Sequence, residues 1–161
     1  MIVRIKNCIF KIIYILVIIY LIIFIPTIWG YKPLVVISGS MEPTLKTGGI
    51  LYYHKKEYQD FKKNDILVYQ LNDHTISHRV YDITDDGIIT KGDANKTYDN
   101  LLITKDRILG EGTKWCIPFI GYYADYIYRN KYLLIITIGI ILIDIVFEKN
   151  KKVGVKDEKD N

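Results

Sequence analysis

The sequence is poor in the residues that build metal and redox sites. It has two cysteines, Cys8 and Cys116, and three histidines in 161 residues. No Cys-x-x-Cys pair with companion histidines occurs, so a zinc site is excluded on spacing, and no metal or cofactor is expected. Excess positive charge is also small. The net charge is +4, and no basic patch is interleaved with the fourteen tyrosines. Nucleic-acid binding needs that footprint, whereas tyrosine is equally at home in β-sheets and at membrane interfaces. Helical periodicity is missing between Tyr31 and Phe119, which excludes a helical bundle for the middle of the chain.

Uncharged apolar sequence, by contrast, is plentiful at both ends. From Ile12 to Trp29 there are eighteen residues without a charge. A helix of that length spans roughly 27 Å, close to the ~30 Å hydrocarbon core of a bilayer. It exceeds the apolar core of a cleaved signal peptide, and it ends Pro26-Thr27-Ile28-Trp29-Gly30 without an Ala-x-Ala-like site, so a retained anchor is expected. Arg4, Lys6 and Lys11 precede it and only Lys32 closely follows, which places residues 1–11 in the cytoplasm. A second run, Tyr132 to Phe147, has sixteen residues and carries Asp144 near its end. It is expected to return through the membrane, with tyrosines in the interfacial segment 122–131 as a belt. A helix packed on the middle domain is the alternative. The charged tail 148–161 is expected to be disordered and cytoplasmic. On this topology the two cysteines lie on opposite sides of the membrane and cannot pair.

The middle of the chain, 31–121, reads as short strands: Leu34–Ile37, Ile50–Tyr53, Ile66–Gln70, Thr75–Ile83, Ile88–Thr90 and Ile108–Gly110. They are rich in Ile, Val and Tyr and are separated by turn formers such as Thr47-Gly48-Gly49, Asn72-Asp73 and Asp85-Asp86-Gly87. The fold class is mainly β: an extracytoplasmic β-domain with an N-terminal transmembrane helix and a C-terminal one.

Three polar segments within that domain bear chemistry. Ser38-Gly39-Ser40-Met41-Glu42-Pro43-Thr44 follows the first strand. A serine nucleophile needs a base within hydrogen-bond reach and donors for the oxyanion; without them the segment is an ordinary turn. His54 sits between Tyr53 and Lys55-Lys56 and reads as a solvated loop residue, and His74 lies in a turn. His78, in Thr75-Ile76-Ser77-His78-Arg79-Val80, alternates onto the face of Ile76 and Val80. It is either a satisfied core histidine or the best-placed base. Lys91-Gly92-Asp93-Ala94-Asn95-Lys96-Thr97-Tyr98-Asp99 offers two carboxylates that can orient an imidazole, or is a polar turn.

In this order, on an anchored β-domain, these segments resemble the conserved boxes of type I signal peptidases, in the serine–histidine version of the endoplasmic reticulum, archaea and some Gram-positive bacteria. Another bacterial version has a lysine base where His78 stands. The resemblance covers about Val35 to Gly121, including the closing run Trp115-Cys116-Ile117-Pro118-Phe119-Ile120-Gly121. Gly48-Gly49 and Asn64-Asp65 stand where the family often has Gly-Asp, which touches turns only.

The resemblance implies a serine endopeptidase with Ser40 as nucleophile, His78 as general base, Asp99 completing the triad and Asp93 as a supporting carboxylate. It implies Ser38 and the Ser40 N–H as the oxyanion site. The implied partners are the lipid bilayer and preprotein signal peptides with small residues at −1 and −3; partner subunits are left open. The implied location is the extracytoplasmic face of the cell membrane. The rival reading is an anchored β-domain that binds signal peptides or surface partners without catalysis. A self-cleaving repressor-type peptidase is argued against by the anchor and the histidine.

Overall fold

The structure, a computed structural model, describes residues 2–157, with side chains described at 5–130 and 132–147. Helix α1 runs Ile2–Phe24 and passes into a 3-10 turn over Ile25–Trp29, where Pro26 sits in the first turn and Gly30 caps at φ +82°. Seven strands follow: β1 Lys32–Val35, β2 Ile50–His54, β3 Ile66–Leu71, β4 His74–Ile83, β5 Ile88–Lys91, β6 Leu102–Ile103 and β7 Ile108–Ile117. Two helices end the chain, α2 Gly121–Arg129 and α3 Lys131–Asp157. The chain divides into two compact units, one made of the chain up to Ile22 together with that from Tyr126 onward, the other of Ile23–Asp125.

The second unit holds one antiparallel sheet in the order β1-β2-β7-β3-β4-β5-β6. Its centre follows from β3. The uninterrupted run Ile66-Leu67-Val68-Tyr69 buries every residue, so alternation sends side chains into apolar layers on both faces. Ile66 and Val68 pack with Val36, Met41, Leu45 and Leu51. Leu67 and Tyr69 pack with Phe61, Val80, Ile88 and Ile103. The β3–β4 turn is the two-residue Asn72-Asp73, with Asn72 at φ +51°, a value asparagine tolerates better than most residues. At the sheet's margin, β1 carries Pro33, which an edge strand accepts because it has no ladder hydrogen bond to lose on its free side. Leu67 is fully buried, and Leu67→Ala is expected to lower stability by about 2–5 kcal/mol, read from the denaturant midpoint of the detergent-solubilised chain.

Several elements differ from the sequence expectation. β7 runs seven residues past Gly110, because Gly110, Gly112, Glu111 and Lys114 mask a strand that tertiary contacts dictate. A Cβ at Gly110 would stand 2.0 Å from the His54 carbonyl oxygen, so the glycine permits a close approach within the sheet. Glu111 is neutralised by Lys56, whose ammonium also bonds Asp65, each at 2.8 Å. β6 is only two residues long and carries no periodic signal, yet it buries Ile103. The interfacial segment is largely the helix α2. The backbone of α3 stays helical to Asp157, where a disordered tail is expected, and the last residues of that tail lie outside the described ones.

The first unit contains α1 to Ile22 and α3. Ile5–Trp29 is long and apolar enough to cross a membrane. The apolar part of α3, Tyr132–Phe147, passes the same test only when joined to α2 across a 90° bend. Within this unit Lys6 of α1 and Asp144 of α3 form an ion pair at 2.6 Å.

Candidate active site

Ser40 lies in a 3-10 turn, Gly39–Met41, shortly after β1. The turn is anchored from below by Met41 and Leu45, both buried in the first apolar layer. On its outer side the Glu42 carboxylate accepts the Thr47 hydroxyl at 2.9 Å and the Thr47 N–H at 3.2 Å, which hold its carboxyl below the usual range. The Ser40 carbonyl accepts the Ala94 N–H at 2.9 Å. A Cβ at Gly92 would stand 2.6 Å from that same carbonyl oxygen, so the chain leaving β5 reaches Ser40 only with glycine there.

His78 stands opposite Leu67 in the β3–β4 ladder, its side chain 11% exposed. Its Nε2 lies 3.0 Å from Ser40 Oγ and its Nδ1 lies 2.6 Å from Asp99 Oδ2. With Asp99 ionised, Nδ1 carries the proton and donates to the carboxylate. Nε2 is then left as an acceptor for the Ser40 hydroxyl. Ser38 Oγ is 3.2 Å from Ser40 Oγ. Asp99 is fastened twice to β5: its N–H donates to the Thr90 carbonyl at 2.8 Å, and its Oδ2 accepts the Thr90 hydroxyl at 2.7 Å.

Asp93 occupies a different place. Arg79 grips it with two bonds, Nε to Oδ1 at 2.7 Å and Nη2 to Oδ2 at 2.6 Å, and Thr44 donates to Oδ2 at 2.6 Å. Arg79 also donates to the Asn64 carbonyl at 2.8 Å. This network ties the serine-bearing segment to β4 and to the loop after β5. The Arg79 bonds, with help from Thr44, hold the Asp93 carboxyl below the usual carboxylate range despite its partial burial. A depressed carboxyl contributes stability that is present above the unfolded value of about 3.9 and is lost as pH falls through the folded one. Asp93→Asn is therefore expected to lose stability at neutral pH and to show a shallower further loss on acidification than wild type, measured as denaturant midpoints against pH.

The other two histidines lie elsewhere. His74 opens β4 at the exposed hairpin end. His54, read as a solvated loop residue, instead ends β2; its side chain is 41% exposed, its ring packs on Tyr31 at 5.2 Å, and its Nδ1 has no hydrogen-bond partner among the described residues. Thr90, Arg79 and Thr44 are the site's neighbours to which sequence reading assigned no role. Arg79 and Thr44 fall inside the quoted boxes. Thr90 reads only as a β-branched strand residue, and nothing local marks it.

A hydroxyl, an imidazole and a carboxylate joined in line are the parts needed for acyl transfer. The sequence model of the family described as signal peptidase, peptidase S26, matches residues 9–98, more than half of the chain. A signal peptidase complex catalytic subunit SEC11 of Candida dubliniensis is 35% identical over 132 residues, covering 73% of this chain and 79% of the relative. The same subunit of Zygosaccharomyces rouxii is 30% identical over 127 residues, covering 70% and 75%. Signal peptidase I W of Bacillus subtilis is 29% identical over 99 residues, covering 58% and 52%. The chain belongs to the signal peptidase family, peptidase S26. It is a serine endopeptidase that removes signal peptides, and its N-terminal apolar helix fits membrane attachment.

Proposed function

We propose that Ser40, His78 and Asp99 carry out the cleavage. His78 Nε2 takes the Ser40 proton as Oγ attacks the scissile carbonyl. The Ser40 backbone N–H and the Ser38 hydroxyl receive the oxyanion. The imidazolium then gives its proton to the leaving amine, and water, activated by the same nitrogen, hydrolyses the ester. Asp99 holds Nδ1–H and offsets the imidazolium charge. Asp93 supports the site through Arg79 and Thr44. The observation that carries this reading is the unbroken line from Ser40 Oγ through both ring nitrogens to Asp99. A histidine base suits neutral pH without the large shift that burial would have to impose on lysine.

The substrate of this reading is an extended preprotein segment with small residues at −1 and −3, added as a strand along a sheet edge. The β-domain, 31–121, works on the extracytoplasmic face of the cell membrane, held there by α1. Support for α1 as a span comes from its side chains: Ile5, Ile9, Ile12, Ile15, Ile18, Leu21 and Ile22 are all exposed, an arrangement that suits lipid. Tyr132–Phe147 of α3 is proposed to return to the cytoplasm. The Lys6–Asp144 pair supports this, since a carboxylate in an apolar span needs a partner.

The test is cleavage of a preprotein with an Ala-x-Ala site by the detergent-solubilised chain, the cut located by mass spectrometry. A cut after the second alanine, lost when a bulky residue stands at −1, is expected. Binding of the signal peptide without cleavage by folded protein would overturn the assignment.

A further inference from the structure

Asp99 stands in the irregular stretch between β5 and β6, so no strand sets the direction of its carboxylate. Thr90 does. It is 0% exposed on β5, paired with Val80 of β4, and it holds Asp99 at both ends, by its own carbonyl and by its hydroxyl. The hydroxyl donates to Oδ2, the same oxygen that receives His78 Nδ1–H. Two donors on one oxygen fix both the distance and the rotation of the carboxylate.

We propose that Thr90 is a positioning residue that aims the Asp99 carboxylate at His78. It extends the serine–imidazole–carboxylate line one step into the apolar layer of Leu67, Tyr69 and Val80. This rests on Asp99 being the carboxylate behind His78, as proposed above. The remaining charged pair near the imidazole, Asp93 with Arg79, makes no hydrogen bond to either residue and cannot substitute for it. Threonine suits the position because its branched Cβ restricts χ1 and leaves the hydroxyl pre-aimed.

Kinetics on a preprotein with an Ala-x-Ala site test this. A hydrogen bond to an ionised group is worth enough that Thr90→Val should lower kcat by about tenfold to a hundredfold, with KM within about twofold. Thr90→Ser keeps the donor and should restore kcat to within about threefold of wild type. Thr90→Ala carries the expectation of Thr90→Val should the valine variant not fold. The decisive arm is a double-mutant cycle: in Asp99→Asn, adding Thr90→Val should change kcat by less than about threefold, because both act through one carboxylate. Full activity in Thr90→Val, or losses that multiply in the double variant, overturns the positioning role. Ser40→Ala is measured alongside: cleavage by that variant overturns the active-site assignment itself, whereas an inactive Ser40→Ala beside a fully active Thr90→Val overturns only the positioning role.

Discussion

Ser40→Ala is expected to lower kcat on a preprotein substrate by about 10⁶-fold, with KM little changed. The size follows from what the hydroxyl does. It is the atom that becomes acylated, and among the described residues Nε2 of His78, at 3.0 Å, has no other hydroxyl on which to act as base. Ser38 Oγ is 3.2 Å from Ser40 Oγ, but it has no hydrogen bond to the imidazole, so it cannot take over as nucleophile. Its expected part is the oxyanion bond. The variant is expected to fold and to retain the signal peptide, because Ser40 is held by the Met41 anchor and by its own carbonyl rather than by its side chain.

Asp99→Asn is expected to lower kcat by about 10³–10⁴-fold, the second largest effect. The amide can present an N–H where the carboxylate presents an acceptor. It then favours the imidazole tautomer with its proton on Nε2, which points a donor at the Ser40 hydroxyl in place of an acceptor. It also leaves the imidazolium of the transition state without a compensating charge. The loss should be in kcat, with unfolding midpoints close to wild type, because the Asp99 side chain is partly exposed and its backbone bond to Thr90 is kept. Asp93→Asn provides the contrast. It replaces one of the two oxygens that accept from Arg79 with an N–H donor and removes the charge from a network that joins three segments, and its effect should be read first in stability.

These two carboxylates show where sequence reading stops. Both lie in one polar segment, six positions apart, and composition treats them alike. The family resemblance ranks Asp99 ahead of Asp93, and the folded chain supplies the physical reason, one facing an imidazole and the other a guanidinium. The strands from β2 to β5 were legible because Ile, Val and Tyr runs are cut by Gly, Asn and Asp at the turns. The full extent of β7 was not, since its glycines and charges make sense only against His54 and Ile66 of neighbouring strands and Lys56 just after β2. Thr90 was hidden for the same reason. A threonine in a strand is ordinary, and its hydroxyl acquires meaning from a residue nine positions away. His54 misled through its lysine neighbours: Lys55 is solvated, but Lys56 turns in to Asp65 and Glu111, and the His54 ring ends β2 against Tyr31.

The central claim, that Ser40 forms the acyl-enzyme, is tested most directly by trapping it. The chain is mixed with preprotein, quenched in acid during the first turnover, digested and mapped by mass spectrometry. The account predicts that the peptide containing Ser38 and Ser40 gains the mass of the signal peptide's C-terminal acyl group as an ester, with fragmentation assigning it to Ser40. Acyl transfer to Ser38 or to any other residue, or normal cleavage with no ester formed, would contradict it.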